Sequence, residues 1–360
     1  TCLLYLTIGP FFAIPRCATV SYTVGIQQLL PQGGAVALAV FSLLFFGAVL
    51  FFSLRPGEIL TWVGKVLTPL FLCFLAVLVL RALSAPMASV ADIPPAGSYR
   101  DAAFSTGLLE GYNTMDALAS LAFGIIVVNA IRSLGVREPG AVARDTVRAG
   151  VFSSLLMAVI YLLVTVVGAQ SRGQLEISAN GGEALAQIAG HYFGSAGAVI
   201  LAATVTIACL KTAVGLVTSC SETFVKIFPG GPSYRVWAVT FSLVSFLIAN
   251  LGLNTILAYS TPVLMFLYPL SIVLILLTLG GRLFGNHPAV LRWSIGCTMV
   301  AAVFDLLRTL PTQAQAALHL EPVVALAETW LPLCKQGFGW VCPAVLGLVI
   351  GLVLRRVRHT

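Results

Sequence analysis

Charge is scarce in this sequence. Lys, Arg, Asp and Glu make up 9% of its 360 residues, against roughly 25% in an ordinary soluble domain, which excludes a water-exposed globular fold. The spacings that organise catalysis or metal binding are missing as well. His191, His287, His319 and His359 fall in separate loops or the tail and form no metal constellation. Neither HExxH nor GxSxG occurs, so an intramembrane hydrolase has no positioned machinery and no enzyme is expected. The eight cysteines include no CxxC pair and lie mostly in apolar runs, where they read as small core residues. Cys334 and Cys342 are near enough in sequence to meet on one face, but nothing in their spacing demands a disulfide.

What the chain has instead is apolar length. It is 59% hydrophobic, and a membrane-spanning helix needs about 20 apolar residues. Ten spans are expected, over residues 1–30, 35–54, 59–80, 106–131, 141–169, 194–228, 235–251, 256–279, 290–307 and 338–354. This is an all-α polytopic membrane protein. The net charge of +7 does not gather into a nucleic-acid-binding patch, because the basic residues fall between spans. With the first span running outward, thirteen lie on the inner side: Arg55, Lys65, Arg132, Arg137, Arg144, Arg148, Lys226, Arg235, Arg282, Arg292, Arg355, Arg356 and Arg358. Five lie on the outer side: Arg81, Arg100, Arg172, Arg308 and Lys335. That asymmetry places the C-terminus in the cytoplasm of a cell-membrane protein.

One span is interrupted. Glu110-Gly111-Tyr112-Asn113-Thr114-Met115-Asp116 sets a polar, glycine-bearing segment among apolar runs. Unwound backbone at membrane depth is tolerated only where it lines a cavity or binds something, and such breaks mark substrate sites in carriers. Gly111 is expected to permit the departure from helix. The freed carbonyls would accept from an ammonium group, and the second half-helix would favour an anion at its N-terminus. Tyr112 and Met115 offer an aromatic and an adaptable apolar wall. Asp116 either caps the second half-helix or takes part in ion coupling. Glu110 is either a solvated acid or a proton-coupling group.

The run from Leu6 to Ser21, LTIGPFFAIPRCATVS, closely resembles a segment of the branched-chain amino acid:cation symporters, the BrnQ-type carriers. Further segments agree in order: Gly111 to Asp116, Phe123 to Ala130, Ser178 to Gly181, Ile207 to Leu216, and Asn250 to Leu253. The resemblance implies a carrier of the amino acid-polyamine-organocation superfamily, with a LeuT-like five-plus-five inverted repeat and two extra C-terminal helices. In that frame the chain begins inside helix 3 and contains helices 3 to 12, as one transporter domain: 1–82 the remainder of the first repeat, 106–279 the second, 290–354 the last two helices. It would look like the interior of a longer protein that lacks helices 1 and 2.

The same resemblance implies site residues. Substrate contacts fall to Tyr22, on the helix that carries a substrate-facing tyrosine, and to Gly111, Tyr112, Asn113, Thr114 and Met115. Tyr22 is equally well read as an aromatic packed against neighbouring helices. The region that supplies sodium ligands in related carriers aligns with Ala208, Cys209, Lys211 and Thr212, with Na+ at Ala208 and Thr212. A lysine inside an apolar helix costs at least ~2.5 kcal/mol. Lys211 either stands in for sodium and makes the carrier proton-coupled or uncoupled, or turns away and snorkels. Arg16 must likewise face a partner or water. Pro262 and Pro269 would kink their span. Asp305 and Glu222 are read as interfacial, residues 179–182 as a turn before an outer-loop helix, and residues 313–328 as one short external helix.

The expected activity is import of leucine, isoleucine and valine across the bilayer with Na+ or H+ as the coupling ion and no cofactor. A proton-coupled carrier of another small amphiphile is the rival within the fold, and a transport-inactive fragment or membrane scaffold the rival outside it.

Overall fold

The computed structural model describes residues 2–29, 33–55, 58–281 and 287–357. Arg282, Arg358, His359 and the ends of the first expected span, Thr1 and Leu30, lie outside the described residues. Every described regular element is a helix. The chain divides into two compact units, Thr1–Pro94 with Phe123–Ile256, and Pro95–Ala122 with Leu257–Thr360.

The first unit opens with a helix broken by its own sequence. Short helix α1 (Cys2–Leu6) passes through a wide π turn (Thr7–Phe11), α2 (Ala13–Ser21), a second π turn (Tyr22–Ile26) and α3 (Gln27–Leu29). Pro10 cannot donate to the ladder and Gly9 leaves helical geometry at ψ −118°. The unit continues with α4 (Gly34–Leu54), α5 (Glu58–Ser84), α8 (Pro139–Ser171), α9 (Gly181–Ile227) and α10 (Tyr234–Ala249), plus most of α7 (Asp116–Ser133) and the start of α11 (Leu253–Leu279). Small residues let α2 and its flanking turns lie close to α9: a Cβ on Gly9 would sit 2.7 Å from Cys220 Sγ, and one on Gly25 3.1 Å from Ala202 Cβ. Val24, Leu78, Ala82, Val167, Ile188 and Leu201 form the apolar centre that ties α5, α8 and α9 to the second π turn.

The 47 residues of α9 are not one rod. Gly194 takes φ 63°, ψ −154°, a region open to glycine alone, and separates an outer length from the span. A turn, a helix and a span from 194 follow one another as expected. Asn180 caps the outer length, its Oδ1 accepting from the Glu183 N–H at 3.0 Å.

The second unit holds α6 (Tyr99–Tyr112), the first residues of α7, most of α11, then α12 (Pro288–Thr309), α13 (Thr312–Ala317), α14 (Glu321–Trp330) and α15 (Val341–Val357). The expected single external helix over 313–328 is two, because His319 turns left-handed at φ 49° between α13 and α14. Closest packing here joins α12 to α15. Gly347 and Gly351 are spaced as a GxxxG pair: a Cβ on Gly347 would press on the Trp293 carbonyl and lie 2.7 Å from Ser294 Cα, and one on Gly351 2.6 Å from Val290 Cα.

Among the described residues, seven helical stretches are long and apolar enough to cross a membrane, α6 and α7 counting together, and shorter apolar helices run over Pro69–Ser84 and Tyr234–Ala249. Seven of the expected spans fall on those stretches and 59–80 and 235–251 on the shorter helices, whereas 338–354 falls on α15, which belongs to neither group. Along α8, Phe152, Leu155, Val159 and Leu162 are 72%, 63%, 53% and 64% exposed. A row of that kind is untenable in water and at home in hydrocarbon.

Candidate functional site

The break lies where the polar segment predicted it, but a different residue makes it. Helix α6 runs through Gly111 to Tyr112, three residues leave the helix, and α7 starts at Asp116. Gly111 is helical, and the left-handed residue is Met115, at φ 62° and buried. A side chain in that region costs roughly 1–2 kcal/mol, so the turn is held by its surroundings. Met115 also occupies the cap position, its carbonyl accepting from the Ala119 N–H at 2.8 Å, which leaves Asp116 in the first helical turn where a carboxylate suits the dipole.

The carbonyls at the break are not bare. Those of Glu110, Gly111 and Tyr112 accept from the N–H groups of Asn113, Thr114 and Met115 at 3.0, 3.3 and 3.1 Å. The Thr114 hydroxyl also donates to Gly111 O at 2.8 Å. The carbonyls of Glu110 and Tyr112 keep a second lone pair for a ligand. Asn113 bridges outward, donating from Nδ2 to Glu110 Oε2 at 3.0 Å and accepting from the Thr261 hydroxyl at 3.4 Å. Glu110 is exposed.

Two tyrosines close the break on one side. Tyr112 stacks on Tyr268 of α11, and both hydroxyls are buried without a hydrogen bond. Tyr268 lies beside Thr114, Asp116 and the Ala117 backbone at the start of α7. The Tyr112 hydroxyl lies beside Asp305 of α12 and the Trp340 indole. Asp305, read from the sequence as interfacial, is 4% exposed and covered by protein side chains. The sequence carried a signal for it, since Asp305 is the sole acid in α12. Cys334 and Cys342 do not pair. Cys334 is buried, and burial holds its thiol above the ordinary range, whereas Cys342 is exposed.

The remaining sequence-derived residues sit in the first unit. Tyr22 is buried and packs against a neighbouring helix. Its ring packs on Phe41 at 5.8 Å and its hydroxyl donates to Gly34 O at 3.3 Å. It also lines a cavity of about 290 Å³ with Thr19, Thr23, Gln27, Asn180, Glu183 and Asn254. Asn180 ties the start of α9 to the start of α11 through Asn254 Oδ1 at 3.0 Å. On α9, the Thr212 hydroxyl donates to Ala208 O at 3.0 Å, bringing together the two oxygens assigned to Na+. Lys211 and Thr212 are exposed. Cys209 meets the Cys17 thiol and Ser21 across the α2–α9 contact, with the Arg16 guanidinium nearby. The sequence did not indicate that thiol pair.

A broken apolar helix is a feature of carriers. Known proteins agree. The family model described as branched-chain amino acid transport protein matches residues 1–358. The branched-chain amino acid permease BrnQ of Lactobacillus delbrueckii subsp. lactis is 51% identical over 96% of this chain and 77% of its own length. BraB of Bacillus subtilis, also a branched-chain amino acid permease, is 38% identical over 98% of this chain and 78% of its own. The branched-chain amino acid transport system 2 carrier protein of Pseudomonas aeruginosa is 38% identical over 98% and 78%. No solved structure gives a match. The chain is a multi-pass membrane protein and belongs to the branched-chain amino acid transport protein family.

Proposed function

We propose that this protein is a secondary active transporter that imports leucine, isoleucine and valine in symport with Na+ or H+. Access to the site alternates as one group of helices moves against the other. The helix break at Asn113–Met115 carries the reading: a left-handed, buried, non-glycine turn inside an apolar span is maintained only for a purpose. The substrate ammonium donates to the Glu110 and Tyr112 carbonyls, and Tyr112 and Met115 face the aliphatic side chain. Such walls discriminate weakly among the three amino acids, since one methylene is worth about 1–3 kcal/mol. Tyr22 is a further candidate for substrate contact, by its resemblance to the substrate-facing tyrosine of related carriers. Ala208 and Thr212 offer the oxygen donors a hard cation prefers, with Lys211 and Cys209 flanking them and Asp116 and Glu110 as the acids nearest the break. In the LeuT-like arrangement the helices of this chain correspond to helices 3 to 12, and the C-terminus is cytoplasmic.

Isoleucine uptake by the full-length protein in proteoliposomes tests this. Uptake above equilibrium under an imposed sodium or pH gradient is the expected result, with valine and leucine competing. Failure to exchange isoleucine across the membrane at all would sink the reading.

A further inference from the structure

We propose that Asp305 binds and releases the proton that drives transport, and that Tyr112 passes its state to the helix break. This rests on the transporter reading above and names a coupling ion and its carrier. Among the described residues, Asp305 is the one acid in the buried class. Its Oδ1 is buried without a hydrogen bond, and so are three atoms of neighbouring side chains: the Tyr112 hydroxyl, the Arg308 Nε and the Trp340 Nε1. Tyr112 and Arg308 both interact electrostatically with Asp305, and Trp340 approaches the same tyrosine hydroxyl.

The set is complementary but open. Arg308 and Trp340 can only donate; an ionised Asp305 can only accept; a protonated Asp305 adds an O–H donor, and the tyrosine hydroxyl serves either way. The two protonation states therefore close different bond sets, and unmade bonds in a dry interior are costly enough to choose between conformations. Among the described residues, the charged or titratable groups facing Asp305 are Arg308 one turn along α12, Tyr112 from α6, and Cys334 from the turn before α15, the thiol itself also feeling Glu328 of α14. Tyr268 of α11 joins through the stack on Tyr112.

Tyr112 is the last residue of α6, so a shift of its hydroxyl is a shift of the break. Oδ1 takes a proton from hydronium on one side: an O–H bond of the hydronium breaks, releasing water, as the carboxyl O–H bond forms. That bond breaks after the helices have moved, and the proton leaves to water on the other side. Glu110 cannot do this in the same manner, because it is exposed and already bonded to Asn113.

The test uses the full-length protein in proteoliposomes, wild type and Asp305→Asn, with isoleucine counterflow at symmetric pH measured beside accumulation under an imposed pH gradient. The expected result is loss of pH-driven accumulation in Asp305→Asn, with counterflow within about twofold of wild type and no isoleucine-linked proton movement. Asp305→Glu, which keeps the carboxyl, is expected to accumulate isoleucine with a displaced pH midpoint, and it decides the matter if Asp305→Asn does not fold. Retained pH-driven accumulation in Asp305→Asn, an unmoved midpoint in Asp305→Glu, or wild-type accumulation driven by sodium alone overturns the proposal. So does joint loss of counterflow and accumulation in a variant that melts like wild type, since the carboxyl would then only shape the break. Wild-type protein without counterflow would instead overturn the transporter reading on which all of this stands.

Discussion

The rings of Tyr112 and Tyr268 lie 4.2 Å apart, centroid to centroid, with their planes 6° from parallel. One belongs to the end of α6 and the other sits beside Pro269 in α11, so the stack links the break to a helix that carries two prolines. Stacked aromatic pairs contribute about 0.5–1.5 kcal/mol beyond their buried area. A double-mutant cycle of Tyr112→Leu and Tyr268→Leu, read by thermal unfolding in detergent, should show a coupling of that order. Additive losses would mean the stack carries no energy of its own.

Met115 sets two terms against each other. Replacing it with glycine relieves the left-handed strain of roughly 1–2 kcal/mol but gives up a buried side chain worth about 1.5–3 kcal/mol. Met115→Gly should therefore melt only slightly below wild type, whereas Met115→Ile, branched at Cβ, should fall much further. Equal melting temperatures for the two variants would contradict the assigned backbone geometry.

The glycine contacts differ in what lies opposite, and the difference is measurable. At Gly9 the obstacle is a side-chain sulfur, with Cys220 Cβ at an ordinary 3.8 Å. Gly9→Ala should cost about 1–3 kcal/mol as overpacking, and Cys220→Ala in the same molecule should restore most of it. At Gly347 and Gly351 the obstacle is backbone, so alanine there should destabilise without any side-chain rescue. Rescue of Gly351→Ala by trimming Val290 would refute the close α12–α15 approach.

Lys211 is exposed on α9. Lys211→Thr should leave thermal stability nearly unchanged, and if the ammonium stands in for sodium, uptake should become sodium-dependent. Sodium dependence that does not change on mutation removes Lys211 from the coupling machinery.

Asn180→Ala removes both the cap on Glu183 N–H and the tie to Asn254. Loss of a cap alone costs about 1 kcal/mol. A larger loss that Asn254→Ala does not deepen would locate the excess in the Asn180–Asn254 bond.

The spans were legible because hydrocarbon demands continuous apolar length, which is a property of sequence alone. The break was legible as a polar interruption, yet the chain turns at Met115 rather than Gly111, because tertiary packing can hold a methionine where local preference would choose glycine. The cover over Asp305 was not legible for a related reason: distance from a helix end along the sequence says nothing about which neighbours pack on a residue. The pairing of Gly347 and Gly351 with Trp293, Ser294 and Val290 is written as a GxxxG spacing, but the partner helix is not. Nor does any sequence pattern announce that Cys17 and Cys209 meet.

The corner in α9 turns on the two torsions of Gly194. Achirality at that single carbon decides the heading of everything between it and Asn180, including the carboxylate and amides that border the polar cavity beside Tyr22. A substitution there that adds only one methyl group would act as a change of direction rather than of size. The wall of the cavity would swing away from its place while each of its residues kept its identity.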